Sequence, residues 1–386
     1  MMQPLDDVRV LDMSRLLPGP FATHVLTELG AHVDKLEDTG AGDYLRHMPP
    51  MWPGTEMGAM YTLLNGNKRS AALDLKSEAG RATFRELLPH YDVLFDQFRP
   101  GVLARLGLGH DALLAAHPRL VVCALTGYGQ SGPLRDRAGH DLNYLARGGV
   151  LGFQGPAHAP PAVPGAQMAD IGGALYAVIA ILAALRERDR SGHGSVIDVS
   201  MLHAAMSFAV SGFASVVAGA AVTRAEEPLA GGLSVYGTYA TKDGRYVAFG
   251  ALEPKFWAAF SALVGLAFDA TALMPGAHQS EWKEKLAAIF RTRTRDEWTA
   301  LGEANAICVE PVLSPEEALA DGATRARALT QDGRAWSLPF AFSGAFSVVF
   351  PESAHASTET GQRRHAPLRG EHTREILDEV RKRTSQ

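Results

Sequence analysis

The sequence VRVLDM at residues 8–13, with FATHVLTEL at 21–29 and HVDKL at 32–36, decides the fold of this chain. The first and third segments have the short apolar pattern of buried strands. The middle segment has the period of a helix, and Gly30 follows it in the position typical of a helix end. Strand, helix and strand in this order form a βαβ unit with its strands parallel. The amino end of the chain is therefore predicted to be an α/β domain.

The alternation of strand and helix continues beyond this unit. Further strands are predicted at 71–73, 92–95, 120–125 and 195–199, and further helices at 77–88 and 170–187. This rhythm is typical of a parallel sheet covered by helices on both faces. From about residue 233 to 320 the pattern changes to a hairpin over 236–249 followed by amphipathic helices, which indicates a second domain.

Composition limits the classes of function. The 386 residues carry 37 Lys and Arg against 42 Asp and Glu, a net charge of −5, which argues against a nucleic-acid partner or an anionic membrane surface. The two cysteines lack metal-ligand spacing, so we expect no metal site. The first residues do not resemble a signal peptide, and we expect a cytoplasmic protein. The apolar stretch 201–222 is interpreted as a helix buried in protein and not as a membrane span.

Several common motifs are absent from the sequence. The turn after the first strand reads Leu17-Pro18-Gly19-Pro20 and not G-x-G-x-x-G, so a dinucleotide would lack the glycines and free N–H groups that it needs. The P-loop, HExxH and G-x-S-x-G motifs are absent as well. An NAD enzyme, a P-loop nucleotidase, a zinc protease and an α/β-hydrolase are therefore disfavoured.

Three polar residues lie in apolar or glycine-rich surroundings and are candidates for chemistry. His140 follows a glycine-rich loop, Asp170 opens a long helix with two glycines in its first turn, and Glu253 lies between an apolar strand and a helix. Each also has a structural interpretation: a lone histidine is commonly structural, and both carboxylates are placed to cap helices. The residues alone leave these alternatives open.

Separated motifs in a constant order resemble a known superfamily, the family III CoA-transferases. They are Ser14–Ala22 (SRLLPGPFA), Asn65–Ser70 (NGNKRS), Leu73–Lys76 (LDLK), Phe98–Val102 (FRPGV) and Gly127–Pro133 (GYGQSGP). Two more segments most resemble the α-methylacyl-CoA racemases within it, Ala138–Tyr144 (AGHDLNY) and Gly250–Phe256 (GALEPKF). The similarity extends to Cys308–Leu313 and Gly370–Thr373 near the end of the chain.

The resemblance implies a fold, an oligomer and a set of roles. It implies a large Rossmann-like α/β domain from both chain ends, a smaller α+β domain, and an interlocked homodimer. The corresponding segments here are 1–200 plus 335–386 for the CoA-binding domain, a linker helix at 201–232, the small domain at 233–320 and a return linker at 321–334. In the racemases His140 and Asp170 match the acid/base residues, with Glu253 paired to His140. In the transferases the position of Asp170 is a nucleophile that becomes acylated.

The racemase chemistry implied here removes the α-proton of a 2-methylacyl-CoA on one face and returns one on the other, through a thioester enolate. Two bases on opposite sides are then needed, and His140 and Asp170 would supply them. Backbone N–H groups at the start of the Asp170 helix are expected to hold the enolate oxygen. No metal or redox cofactor is required, since coenzyme A enters as part of the substrate.

CoA is a polyanion, so a chain of negative net charge needs a local group of cations. Lys68, Arg69 and Arg99, together with Arg46, lie in segments that resemble the CoA groove and are predicted to bind it. Relatives often place Arg or Pro after the acidic residue that ends the second strand, whereas Asp38 follows Glu37 here. Two alternatives to the racemase remain: a transferase that moves CoA between carboxylic acids, and a catalytically silent CoA-binding protein.

Overall fold

The computed structural model describes residues 3–329, 337–339 and 365–385. They form two compact units: a large unit from the described parts of 1–148, 166–205 and 322–386, and a small unit of residues 149–165 and 206–321. This division differs from the predicted one, because 149–165 and 206–232 group with the small unit. Parts of the predicted return linker and of the segment 335–386 lie outside the described residues.

The secondary structure follows the predicted rhythm closely. The strands are β1 (Arg9–Asp12), β2 (His32–Glu37), β3 (Arg69–Ala72), β4 (Val93–Asp96), β5 (Val121–Thr126), β6 (Val196–Ser200), β7 (Tyr236–Ala240), β8 (Tyr246–Gly250) and β9 (Val309–Pro311). The helices are α1 (Pro18–Glu28), α2 (Ala59–Asn65), α3 (Glu78–Leu87), α4 (Val102–Arg105), α5 (His110–Ala116), α6 (Asp141–Arg147), α7 (Met168–Ser191), α8 (Met201–Phe208), α9 (Val210–Val217), α10 (Pro254–Leu263), α11 (Gln279–Phe290), α12 (Arg295–Ala304), α13 (Pro315–Ala320), α14 (Gly322–Ala328) and α15 (Thr373–Thr384).

The large unit is built on a six-stranded sheet in the order β3-β2-β1-β4-β5-β6, and all of its strand pairs are parallel. The predicted α/β fold with a parallel sheet is thus confirmed. The chain adds strands outward from β1 to β3 and then returns to place β4 on the other side of β1. Open α/β sheets bind ligands beyond the carboxyl ends of the strands at such a reversal, so the β1/β4 boundary is where a site is expected.

Burial on both faces of this sheet explains its composition. Every residue of β4 and of β5 is buried, as parallel strands covered by helices require. The helix α7 packs against α1 and β5. Gly173 allows its close approach to β5 and to the start of α8, because a Cβ there would lie 3.2 Å from Leu125 Cδ1 and 2.6 Å from Met201 Cγ. The helix α7 is long and apolar enough to cross a membrane by length and composition alone. Of its most apolar stretch of 18 residues, 44% is buried within the protein.

The apolar stretch 201–222 does not form the single buried helix that was predicted. It contains two eight-residue helices, α8 and α9, separated at Ala209. Phe208 and Val210 beside the break are both exposed, as is Val217 at the end of α9. Ser211 and Gly212 are weak helix formers, which is consistent with the short length of α9.

The small unit has a three-stranded antiparallel sheet, β7-β8-β9, packed by helices. The predicted hairpin is present as β7 and β8, and Gly244 in its turn has the left-handed backbone that glycine favours, with φ 74°. Aromatic rings fill the core: the Phe249 and Phe260 ring centroids lie 4.5 Å apart, and those of Phe290 and Trp298 lie 4.9 Å apart. This core fixes the end of β8, from which Glu253 follows.

Candidate active site

His140 lies where the glycine-rich loop after β5 meets α6. Its backbone N–H donates to Asn143 Oδ1 at 3.0 Å, which sets the start of the helix, and its side chain is exposed. Behind it the Tyr144 hydroxyl donates to the Gly139 carbonyl at 2.5 Å. A Cβ at Gly139 would lie 2.7 Å from the Tyr144 ring, and one at Gly127 would overlap that ring. The glycines are therefore needed for the loop to pack on Tyr144 and present His140.

Asp170 is partly buried in the first turn of α7, and it does not cap that helix. The capping acceptor is Asp141, whose Oδ1 accepts the backbone N–H of Ala169 at 2.7 Å and that of Asp170 at 3.1 Å. The residue next to His140 thus holds the start of α7 directly. The structural interpretation of Asp170 as an N-cap is not observed, so its carboxyl group is available for another role.

The backbone N–H groups at the start of α7 were expected to hold the enolate oxygen, but they already have hydrogen-bond partners. Met168 N–H donates to the Ala166 carbonyl at 3.0 Å, and Ile171 N–H donates to the Gln167 carbonyl at 3.0 Å. Since Asp141 accepts the two N–H groups between them, each N–H from Met168 to Ile171 already has a partner. The prediction that these groups hold the enolate oxygen is therefore not supported by this geometry.

The surroundings of Asp170 change its acidity. Burial raises the pKa of its carboxyl group from 3.8 to about 7, and the nearby Asp141 carboxylate adds to the rise because it disfavours a second negative charge. Burial likewise raises the pKa of Tyr144 to about 12, with Asp170 contributing next. Both protonation states of Asp170 are therefore accessible near neutral pH, which suits a group that must both accept and donate a proton.

Glu253 belongs to the small unit, where it immediately precedes α10. Its side chain is exposed and makes no capping hydrogen bond to the helix, although Pro254 at the first helical position is typical of a helix start. The capping role considered for this carboxylate is thus not observed. Its predicted pairing with His140 stays a prediction.

A cavity of about 790 Å³ opens beyond the carboxyl ends of β1 to β4, at the reversal of the strand order. Its wall includes apolar side chains, among them Leu75, Phe98 and Leu106, and three cationic ones, Arg15, Lys76 and Arg105. Among the described residues, none of these three cations has a salt-bridge partner. This combination suits a ligand with an apolar ring and several anionic groups.

The carboxylates that line the cavity have partners within the protein. Glu37 binds Arg46, and Asp43 Oδ2 lies 3.0 Å from Lys35 Nζ. Asp38 accepts the Gly40 N–H at 2.7 Å, and Asp74 accepts the Lys76 N–H at 3.0 Å. Their charges are compensated by the lysine and arginine or are shared with backbone donors. The cavity is therefore more favourable to anions than its count of acidic residues suggests.

Three of the four cations predicted to bind CoA have internal roles. Lys68 is fully buried and donates to Thr23, Asn65 and the Pro20 carbonyl. Burial lowers its pKa to about 7. Such a group is not placed to meet a ligand phosphate.

Arg46 and Arg69, two of the three arginines predicted to bind CoA, are bound to carboxylates of the protein. Arg46 is buried, pairs with Glu37 through two nitrogens and lies over the Tyr61 ring at 4.1 Å. Arg69 binds both oxygens of Asp34, at 2.7 and 2.8 Å, and so joins β2 to β3. Arg99 alone is exposed, in the segment after β4.

The cations that do face the cavity were missed in the sequence, although a signal for them existed. Arg15 and Lys76 lie inside two of the segments that resemble the superfamily, and Arg105 comes shortly after a third. Arg15 and Lys76 also follow the strands β1 and β3 by three and four residues. In a parallel sheet, cations directly after the strands are the ones that reach the ligand-binding edge.

Comparison with known proteins assigns the chain to a family. The family model "CoA-transferase family III" matches residues 5–373. The chain is 36% identical to "Alpha-methylacyl-CoA racemase" of Mus musculus over 97% of its length and 93% of that protein, and 32% identical to "Succinyl-CoA:glutarate CoA-transferase" of Mus musculus over 98% and 87%. A CAIB/BAIF family protein from Brucella suis has a similar crystal structure, with a TM-score of 0.82 and 28% identity over 98% of this chain and 100% of that one. This chain is a member of CoA-transferase family III.

Proposed function

We propose that this enzyme is a 2-methylacyl-CoA racemase. The observation that carries the proposal is the linkage of two proton-exchanging groups: His140 and Asp170 are joined through Asp141, which follows the imidazole in sequence and binds the backbone of the carboxylate. The pKa of Asp170 near 7 allows both of its protonation states at neutral pH. A racemase needs both states, because each group acts as base for one enantiomer and as acid for the other.

The proposed reaction has two steps, removal of the α-proton and return of a proton to the opposite face. For one enantiomer the Asp170 carboxylate takes the α-proton, the electron pair of the C–H bond passes into the thioester carbonyl, and an enolate forms. Protonated His140 then donates a proton to the opposite face of the α-carbon, and the carbonyl is restored. For the other enantiomer the roles reverse. Glu253 stabilises the charged imidazole, as a carboxylate beside a ring N–H does.

CoA binds in the cavity of the large unit in this proposal. Arg15, Lys76 and Arg105 meet the phosphates, and the apolar wall that includes Phe98 accepts the adenine ring. Coenzyme A is thus held as part of the substrate, and the reaction uses no metal or redox cofactor.

We also propose that the protein is an interlocked homodimer. The helix α7 exposes an apolar stripe at Leu175, Ile179 and Leu182, with Ile179 60% exposed in the single chain. These positions are three and four residues apart and so lie on one face of the helix. A second protomer would cover this stripe, and analytical ultracentrifugation tests the expected mass.

Deuterium exchange tests the proposed activity. A 2-methylacyl-CoA incubated with the enzyme in D₂O, with no acceptor acid present, should gain deuterium at the α-carbon. His140→Gln should abolish the interconversion of the two enantiomers and the exchange of the enantiomer for which His140 is the base. A chain that forms an acyl or CoA adduct on Asp170 without α-exchange is a family III CoA-transferase instead, which is the second candidate because both kinds of relative match at similar identity. CoA binding with no turnover would indicate a catalytically silent protein.

A further inference from the structure

The segment that brings Arg15 to the cavity is held by side chains from outside it. We call residues 13–17, between β1 and α1, the β1–α1 turn. Three consecutive backbone N–H groups in it donate to three different side chains: Ser14 to Asp12 Oδ1 at 2.9 Å, Arg15 to Gln97 Oε1 at 3.2 Å and Leu16 to Asp43 Oδ1 at 3.0 Å. Leu16 has a φ of 64°, which non-glycine residues rarely adopt. The turn therefore depends on its acceptors for its shape.

Two fully buried lysines fix the acceptors and the two sides of the turn. Lys35 Nζ donates to the Ser14 carbonyl at 2.7 Å and lies 3.0 Å from Asp43 Oδ2. Lys68 Nζ donates to the Pro20 carbonyl in the first turn of α1 at 3.0 Å. Lys68 Nζ also lies 3.5 Å from Asp12 Oδ2. Both lysines thus compensate buried carboxylates that bind the turn, in a region that excludes water.

A hydroxyl group connects Lys68 to the turn. Lys68 Nζ donates to Thr23 Oγ1 at 2.8 Å, and Thr23 Oγ1 donates to Asp12 Oδ2 at 2.7 Å. The other oxygen of Asp12 accepts the Ser14 N–H. A chain of hydrogen bonds therefore runs from the ammonium group through Thr23 and Asp12 to the residue before Arg15.

We propose that Lys68 is a positioning residue that acts through Thr23 and Asp12 to fix the β1–α1 turn, and thereby holds Arg15 at the cavity for a phosphate of CoA. This inference rests on the proposed binding of CoA and extends it to residues that never touch the ligand. The Arg15 guanidinium also lies 5.1 Å from the centre of the Tyr44 ring, and Tyr44 follows Asp43, the partner of Lys35. Both buried lysines thus act on the position of the same cation.

Thr23→Val tests the relay, because valine keeps the volume of threonine and removes the hydroxyl between Lys68 and Asp12. The longer direct approach of Lys68 Nζ to Asp12 Oδ2, at 3.5 Å, is left in place, so the variant isolates the contribution of the hydroxyl. Tyr91→Phe is the matched control: it removes another buried hydroxyl that donates to a carboxylate, Asp34 Oδ2 at 2.6 Å, on the same sheet but away from the turn. Thermal unfolding of both variants establishes that they fold. Isothermal titration with free CoA then measures the dissociation constants.

We expect Thr23→Val to weaken CoA binding about fivefold and Arg15→Met to weaken it about tenfold, while Tyr91→Phe leaves it unchanged. The double variant Thr23→Val with Arg15→Met should bind no more weakly than Arg15→Met alone, since the relay acts only through Arg15. Unchanged binding by Thr23→Val, or additive losses in the double variant, would overturn the inference. A wild-type protein that fails to bind CoA would refute the proposed function itself, and the inference with it.

Discussion

Replacement of Asp141 by Asn is expected to lower the pH at which Asp170 becomes an active base. The asparagine Oδ1 can still accept the N–H groups of Ala169 and Asp170, so the start of α7 is retained while one negative charge is lost. The pKa of Asp170 rises from 3.8 to about 7, with burial as the larger cause and Asp141 as the smaller. Asp141 therefore accounts for less than half of this rise, and its removal should lower the midpoint by about one pH unit, or about 1.4 kcal/mol.

The assay is α-deuterium exchange, followed for each enantiomer of a 2-methylacyl-CoA from pH 5 to 9. For the enantiomer that uses Asp170 as base, the acid side of the pH profile should rise through a midpoint near 7 in the wild type and about one unit lower in Asp141→Asn. The rate should fall again at higher pH, where His140 has lost the proton that it donates. Asp136→Asn is the control, since this carboxylate in the preceding loop is 82% exposed and its charge is screened by water. A midpoint that Asp141→Asn leaves in place would show that Asp170 is not the titrating base.

The remaining predictions concern the second carboxylate, the cavity and the small unit. Glu253→Ala should reduce deuterium exchange at least tenfold and leave the urea midpoint unchanged, because this exposed side chain makes no capping hydrogen bond; a matching loss of stability would indicate a structural role. Lys76→Met and Arg105→Met should each weaken CoA binding about tenfold and flatten its dependence on salt, as measured by calorimetry, whereas an unaltered affinity would place the phosphates elsewhere. Phe260→Ala should lower the free energy of unfolding in urea by about 3–5 kcal/mol, because the ring is fully buried among aromatic neighbours.

Local periodicity made much of the fold predictable. The strand β1, the helix α1 and the strand β2 can each be predicted from the pattern of apolar residues over a short segment. Gly30 follows the helix and has a φ of 106°, the left-handed conformation that is common after a helix end. Asp170 was also a candidate from the sequence, because it is an acidic residue close to two glycines in the first turn of a helix; its catalytic role stays a prediction. Such features depend on neighbours in sequence, which a pattern can detect.

Charge roles were harder to predict, because they depend on distant contacts. Asp141 caps a helix that begins 27 residues later, and Lys68 binds a carbonyl 48 residues before it. Arg46 donates to the Pro367 carbonyl, which is 321 residues away. A lysine or arginine has the same sequence signal whether it pairs inside the protein or meets a ligand. Only the folded structure shows that Lys68 and Arg46 pair inside the protein. It also shows that Arg15 and Lys76 line the cavity.

The environment of Asp170 bears differently on the two candidate reactions. A transferase uses this carboxylate as a nucleophile, so only the ionised form reacts. A pKa near 7 leaves a large ionised fraction at neutral pH, and a more basic carboxylate is also a stronger nucleophile, so this pKa does not exclude a transferase. A racemase uses the ionised form for one enantiomer and the protonated form for the other, and a pKa near the working pH serves both. Burial and the adjacent Asp141 charge both raise this pKa and therefore suit a reversible proton carrier. The raised pKa thus supports the proposed racemase, and the comparison of α-deuterium exchange with adduct formation on Asp170 decides between the two reactions.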